Sequence, residues 1–360
     1  MTEGSPLPTD RELVSVATQV IEQRLPSTWA LSLDEARQPA DQGADAILSL
    51  RSPDGAEVAV IVEAKGVVEP RDVAAMRDRL SRLLSRYPGS IGLIVSRYLS
   101  NSTRKRLAEA GLSYVDASGN LLVRADEPGL FLSDRGADRD PWRGPGRPRG
   151  TLAGEPAAKV VRALVDATGP WKIRDLVRVA AVSTGSAYRV LAYLESEDLA
   201  RRDDAGLISV PDWPTLLQRW SADYQFLGTN SVARYIAPRG LPTLLDQIRG
   251  AGVEDYALTG SAAAAAWQPY APVRSVMVYA RDPDRAAAAW GARATDAGAN
   301  VLIARPAYPV ALARTVQALD GLTVAAPAQV AVDLMTGPGR APAEAAELLD
   351  WMKRNENAWR

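Results

Sequence analysis

The sequence predicts an α/β protein with several domains. Strand-like apolar segments alternate with helical segments over residues 1–135, and three short helices followed by a hairpin are predicted over residues 155–212. Residues 136–154 are rich in Gly, Pro and Arg and have no hydrophobic period, which is typical of an exposed linker. A chain of 360 residues is also too long for one small core. We therefore expect domains at 1–135, 155–225 and 228–360.

Two absent residue types narrow the chemistry that this chain can perform. The sequence contains no cysteine and no histidine. This excludes disulfides, thiol nucleophiles, Ser-His-Asp triads, imidazole bases and an ordinary zinc site. The first ten residues lack the basic and apolar segments of a signal peptide, and no run of 18 apolar residues occurs. We therefore expect a cytoplasmic, nucleoid-associated protein that does not span a membrane.

The first block alternates helical and strand segments. An amphipathic helix over residues 10–25 precedes two strand-like segments that end near Lys65, a long helix from Arg71 to Arg86 and further strands. This order predicts an α/β sandwich around a mixed sheet. Between Arg71 and Arg106 nine basic residues stand against two acidic ones, in a chain whose net charge is −1. A solvated helix face and a phosphate-binding surface both account for this excess.

Acidic and basic residues lie at neighbouring strand ends in this block. Asp45 opens one strand, and Glu63 and Lys65 close the next; residues two apart on a strand point to the same face. Two carboxylates can hold Mg²⁺, a lysine can orient the attacking water, and Glu22 on the first helix could add a ligand. Asp45 and Glu63 are thus candidate metal ligands, and Asp45, Glu63 and Lys65 are candidate catalytic residues.

This pattern resembles the PD-(D/E)xK restriction-endonuclease-like superfamily. Asp45 and Glu63-Ala64-Lys65 stand at the motif positions, although Gly43-Ala44 precedes the acid instead of the usual Pro. The resemblance implies either a Mg²⁺-dependent DNA endonuclease or a retained fold with a solvated remnant of the site. The linker adds a second short resemblance, because Arg147 and Arg149 in Gly-Arg-Pro-Arg-Gly match the core of an AT-hook that binds the minor groove. A plain basic linker is the alternative.

The pattern of the second block predicts a winged helix-turn-helix. Its third helix carries Ala187, Val190, Leu191 and Leu194 at core spacing, and a hairpin with an Ala205-Gly206 turn follows. The opposite helix face and the hairpin then present the predicted DNA-binding residues, which are Thr184, Ser186, Tyr188, Arg189, Tyr193, Arg201 and Arg202. Arg189 is the candidate for a base edge, since arginine pairs bidentately with guanine. A winged helix that binds protein is the alternative.

The third block resembles the nucleotidyltransferase fold, because a strand leads into Gly260-Ser261 and a helix. An active transferase needs an acidic pair on the next strand to hold two metals. The strand at residues 275–279 has no carboxylate, and Asp282 after it stands alone. We therefore predict a degenerate domain that performs no nucleotidyl transfer and serves in interactions.

Most of the chain resembles, piecewise, the AbiEi-family antitoxins of type IV toxin–antitoxin systems. The residues that carry this resemblance are Gly111 to Asp116 with Ser118-Gly119-Asn120, the winged helix ending in Asp212-Trp213, and Ala326-Pro327-Ala328-Gln329 leading to Asp333-Leu334. The resemblance implies a transcriptional regulator that binds double-stranded DNA, autoregulates its operon and could counteract a toxin. A homodimer is expected from the symmetry of most helix-turn-helix sites.

Overall fold

The computed structural model describes residues 9–33, 43–138, 140–142, 151–318 and 321–360. It has two compact units, one formed by Met1–Arg147 with Ser196–Asp198 and the other by Pro148–Glu195 with Leu199–Arg360. Both combine helices with a seven-stranded sheet, so the predicted α/β multidomain class is confirmed. No helix in the described ranges is long and apolar enough to cross a membrane.

The first unit is a sandwich of helices on both faces of one mixed sheet. Its elements are α1 (Asp10–Glu22), β1 (Ala30–Leu33), β2 (Ala46–Arg51), β3 (Glu57–Lys65), a 3₁₀ turn (Pro70–Asp72), α2 (Val73–Leu84), β4 (Ile91–Ser96), α3 (Asn101–Glu109), β5 (Ser113–Asp116), β6 (Leu121–Ala125) and β7 (Leu130–Asp134). The strands lie in chain order, and the β3–β4 and β4–β5 pairs are parallel while the other pairs are antiparallel.

Alternate residues of β3 face two different hydrophobic cores. Val60 and Val62 pack in the core that contains α1, whereas Ile61 packs in the core that contains α2 and α3. Burial on both faces explains why β3 reads as an almost continuous apolar run. The start of α1 is set by a capping box, in which the Thr9 hydroxyl accepts from the Glu12 N–H at 3.3 Å and the Glu12 carboxylate accepts from the Thr9 N–H at 2.6 Å.

The second unit begins with three helices, a short hairpin and a fourth helix, in the region where we predict a winged helix. Its elements are α4 (Glu155–Asp166), α5 (Ile173–Ala180), α6 (Thr184–Ser196), β8 (Arg201–Arg202), β9 (Ile208–Ser209) and α7 (Trp213–Ser221). Trp171 forms an antiparallel bridge with Ile208, so a third short segment joins the wing hairpin. The turn of that hairpin contains Gly206 at a φ of 77°, in the left-handed region that glycine adopts without strain.

The rest of the second unit surrounds another seven-stranded sheet, in the order β13-β10-β14-β12-β11-β16-β15. Its elements are α8 (Phe226–Thr229), β10 (Ser231–Ile236), α9 (Leu241–Gly250), β11 (Tyr256–Thr259), α10 (Gly260–Ala264), β12 (Val276–Ala280), α11 (Pro283–Ala289), β13 (Arg293–Ala294), β14 (Val301–Arg305), a 3₁₀ turn (Pro309–Leu312), β15 (Val316–Gln317), β16 (Thr323–Val324), α12 (Pro327–Met335), α13 (Ala341–Arg354) and α14 (Glu356–Trp359).

One hydrophobic core runs through helices α4 to α7 and the rest of this unit. It contains Leu164 of α4 and Leu191 of α6 together with Val278 of β12 and Leu348 of α13. The domain boundary that we predicted near residue 228 therefore falls inside a single compact unit. The wing and α6 are consequently carried by a large folded body.

Candidate nucleic-acid interface and carboxylate pair

Helix α6 has one buried face and one exposed face. Val190, Leu191 and Leu194 are fully buried in the core of the unit. Tyr188 and Arg189 lie on the opposite side and are exposed, Tyr188 to 45%. The core spacing fixes the helix in rotation, so these two side chains face solvent.

Small and hydroxylated residues form the first turn of α6. The Ser183 hydroxyl, which precedes the helix, accepts from the Ser186 N–H at 3.2 Å and donates to the Ser186 hydroxyl at 2.9 Å. Thr184 and Gly185 are exposed. The Arg189 guanidinium donates to the Ser186 hydroxyl at 3.1 Å, which draws Arg189 toward the beginning of the helix.

The wing places further cationic groups beside α6. Arg201 and Arg202 are both exposed on β8. The Arg202 guanidinium lies 5.7 Å from the centre of the Tyr188 ring, and its Nε donates to the Glu195 carboxylate at 3.0 Å. Arg202 is thus held against the flank of α6, where Glu195 offsets part of its charge.

Tyr193 does not belong to this surface, and its assignment as a DNA contact was wrong. The residue is only 4% exposed, and its hydroxyl is hydrogen-bonded by Arg219. The Arg219 guanidinium lies 5.3 Å from the ring centre and pairs with Asp223 at 2.7 Å. Arg219 belongs to α7, so Tyr193 is buried because α7 covers this flank of α6. A helical wheel of α6 alone does not include that contact.

Three basic side chains near α5 were missed by the sequence reasoning. Lys172 and Arg174 at the start of α5 and Arg178 near its end are exposed, and Arg178 pairs with Asp175 at 3.3 Å. The signal was present, since these residues alternate with Ile173 and Leu176, which pack inward. The AT-hook residues Arg147 and Arg149 lie outside the described residues.

In the first unit, β2 and β3 bring Asp45 beside Glu63. Ala46 pairs with Val62 in the antiparallel register, so the residue before β2 stands next to the end of β3. One Asp45 carboxylate oxygen accepts from the Ala64 N–H at 2.7 Å. The predicted proximity of these two acids is therefore present in the structure.

The guanidinium of Arg79 already pairs with the Glu63 carboxylate. Arg79 of α2 donates from Nη1 to Glu63 Oε1 at 3.2 Å and from Nη2 to the Gly43 carbonyl at 2.7 Å. The Glu63 side chain is only 7% exposed. Its burial raises the pKa of the Glu63 carboxyl, Arg79 opposes that rise, and the charge of Asp45 adds to it. Arg79 was not predicted as part of this site.

Lys65 and Glu22 do not complete a catalytic cluster. The Lys65 ammonium is exposed and pairs with Asp72 at 3.0 Å, and Asp72 also accepts from the Glu69 N–H. Glu22 ends α1, on the opposite face of the sheet from α2. Within the described ranges, no group of three or more acidic, histidine or cysteine side chains could hold a metal ion.

A buried polar cluster lies in the core of the second unit. The Asp333 carboxylate is fully buried and accepts from Thr259 at 2.6 Å, from Tyr279 at 2.8 Å and from the Gln329 amide at 3.0 Å. Gln329 also accepts from Arg162 of α4 at 3.0 Å. We call Asp333, Thr259, Tyr279 and Gln329 the Asp333 cluster; it connects the first helix of the winged helix to α12 and the sheet.

The residues on which we based the resemblance to a nucleotidyltransferase lie near this cluster. Strand β12 is buried along its whole length and carries no carboxylate, as the sequence indicates. The Ser261 hydroxyl donates to the buried Glu344, which also pairs with Arg340 at 2.6 Å. Glu344 is thus engaged in protein contacts, and among the described residues no group of three or more acidic, histidine or cysteine side chains could hold a metal ion there.

Comparisons with known proteins add little to this geometry. No protein-family model matches the chain, and no curated protein matches it. A matching solved structure is the apo form of EndoMS, at 14% identity and a TM-score of 0.19. The match covers 31% of this chain and 47% of that one, so it spans about half of that protein's length. A likeness this low carries no argument about fold or function.

Proposed function

We propose that this chain binds double-stranded DNA in a sequence-specific manner through its winged helix. The observation that carries the proposal is the exposed face of α6, where Arg189 lies near the helix start beside a wing with two exposed arginines. A helix supported from behind by a core and flanked by a cationic hairpin fits the major groove. The net charge of −1 requires that the footprint be local, and these residues supply it.

The proposal separates side chains that read bases from side chains that contact phosphates. Arg189 reads a base edge, because its planar guanidinium matches the N7 and O6 acceptors of guanine. The small residue Gly185 allows α6 to approach the bases closely. Arg201, Lys172 and Arg174 contact phosphates and therefore contribute affinity without sequence preference.

The regulatory role is the finer part of the proposal. Resemblance to the AbiEi-family antitoxins supports a regulator that represses its own operon, and a duplex with two half-sites would then bind a homodimer. Counteraction of a toxin belongs to the same resemblance. A winged helix that binds a protein instead of DNA is the competing function, and it predicts no duplex preference in any titration.

A Mg²⁺-dependent endonuclease is the other competing function, and the residues present do not fit it. Mg²⁺ prefers a nearly octahedral set of oxygen ligands. Here only Asp45 and Glu63 come together, Glu63 is paired with Arg79, and Lys65 is directed to Asp72. We assign no cleavage step to this site. Plasmid DNA incubated with the protein and Mg²⁺ should stay intact. Nicking by wild type that is lost in Glu63→Ala would support the endonuclease function instead.

The experiment is a selection of bound duplexes from a random pool, followed by fluorescence titrations of the selected and a scrambled duplex. We expect wild type to prefer the selected duplex, and Arg189→Ala to lose a factor of roughly 5 to 150 of that preference, which corresponds to about 1–3 kcal/mol for one base contact. Arg178→Ala is the matched control, since it removes an exposed arginine from the neighbouring helix and should keep the preference. An unchanged preference in Arg189→Ala would contradict the assignment.

A further inference from the structure

The side chain of Arg79 bridges the two chain segments that carry the Asp45–Glu63 pair. Its Nη1 donates to Glu63 at the end of β3, and its Nη2 donates to the carbonyl of Gly43, two residues before Asp45. A carboxylate oxygen and a backbone carbonyl oxygen are also the ligand types that a hard divalent cation selects. The guanidinium thus contacts two oxygen atoms of the types that such a cation selects.

Burial of the Glu63 carboxylate favours a cation beside it. The Glu63 side chain is 7% exposed, and an ionised carboxylate that is buried without a partner is strongly destabilising. Its second oxygen, Oε2, is buried and has no hydrogen-bond partner among the described residues. One Glu63 oxygen therefore accepts a hydrogen bond from Arg79, and the other has no donor among the described residues.

The register of α2 fixes Arg79 at this place. Met76, Leu80 and Leu83 are buried against the sheet, so the helix cannot rotate without exposing them. Arg79 lies between these core positions and is half exposed, whereas Arg82, one turn further on, is exposed and has no ion pair within the described part of the chain. The two arginines therefore differ in contacts while sharing a helix and a charge.

We propose that Arg79 is a resident cation that takes the place of a divalent metal at the Asp45–Glu63 pair. In the wild-type protein, Arg79 already supplies a positive charge to Glu63 of this pair. Removal of the guanidinium leaves two neighbouring carboxylates and the Gly43 carbonyl without the charge of Arg79, and this set then binds a divalent cation. The Asp45–Glu63 pair is accordingly a metal site whose binding of a metal ion is prevented by Arg79.

The test is a Mn²⁺ titration of the full chain, in which the free ion is measured by electron paramagnetic resonance. We expect Arg79→Ala to bind one Mn²⁺ at least about tenfold more tightly than wild type, because an opposing charge has been removed at contact distance. Arg82→Ala, the matched control, should bind like wild type. The double variant Arg79→Ala with Glu63→Gln should lose the gain.

Two results would overturn the proposal. One is wild-type protein that binds Mn²⁺ as tightly as Arg79→Ala, because the guanidinium would then not close the site. The other is Arg79→Ala protein that is folded by circular dichroism and still gains no binding. If Arg79→Ala does not fold, Arg79→Gln retains an amide that can donate to the Gly43 carbonyl without the charge, and the same gain is required of it.

Discussion

Asp333 should make the stability of the second unit depend on pH near neutrality. Its burial raises the pKa of the carboxyl to about 7, although the hydrogen bonds from Thr259, Tyr279 and Gln329 and the charge of Arg162 oppose the rise. The chain contains no histidine, so few other side chains titrate in that range. Replacing Asp333 with Asn keeps a neutral hydrogen-bonding group of the same shape and removes the titration.

The sign of the effect follows from the raised pKa. In the unfolded chain Asp333 ionises near its ordinary pKa of 3.8, whereas in the folded protein it keeps its proton up to about pH 7. The free energy of unfolding is therefore highest below the unfolded pKa and falls as pH rises from about 4 to about 7. The full difference between the two pKa values corresponds to roughly 4 kcal/mol, of which about 3 kcal/mol lies between about pH 5 and about pH 8.

The measurement compares urea unfolding of wild type and Asp333→Asn at those two pH values. We expect the variant to gain stability relative to wild type as pH rises, by up to about 3 kcal/mol between about pH 5 and about pH 8. Other groups, including Glu63, change both proteins alike and cancel in the comparison. A stability difference that is the same at both pH values would refute the reasoning about Asp333.

Three further predictions concern the winged helix. Leu191→Ala should lower the free energy of unfolding by about 2–5 kcal/mol in urea titrations, because Leu191 is fully buried behind α6; a loss well below that would mean that this core is loosely packed. Tyr193→Phe should cost about 1 kcal/mol, the usual worth of one hydrogen bond, while leaving duplex preference unchanged. A changed preference would mean that Tyr193 belongs to the DNA-binding surface. Arg201→Ala should weaken all duplexes equally and reduce the slope of log K against log salt by about 0.9, and an unchanged slope would remove Arg201 from the phosphate contacts.

The parts of the fold that depend on local pattern were predictable from the sequence. The core face of α6 and the wing turn at Gly206 follow from helical spacing and turn chemistry. Asp45 and Glu63 could be placed together because two consecutive antiparallel strands put their neighbouring ends side by side. Each of these inferences uses residues that are close in the chain or paired by one hairpin.

The parts that were wrong or missed depend on packing between distant segments. Tyr193 is buried because α7, which follows the wing, returns to cover α6 through Arg219. Arg79 enters the carboxylate pair only when α2 packs on the sheet. Asp333 stood in a motif quoted for its family resemblance, but its burial depends on Tyr279 and Thr259, more than fifty residues away. No periodicity in the sequence reports such contacts.

The contact between Arg189 and a guanine is the central claim, and base-analogue substitution tests it most directly. In the selected duplex, each guanine is replaced in turn by 7-deazaguanine, which lacks the N7 acceptor, and Kd is measured for wild type and for Arg189→Ala. At one guanine, wild type should lose about 1–3 kcal/mol of binding free energy while Arg189→Ala loses almost nothing further. Equal losses in both proteins at every guanine would contradict the proposal that Arg189 reads the DNA.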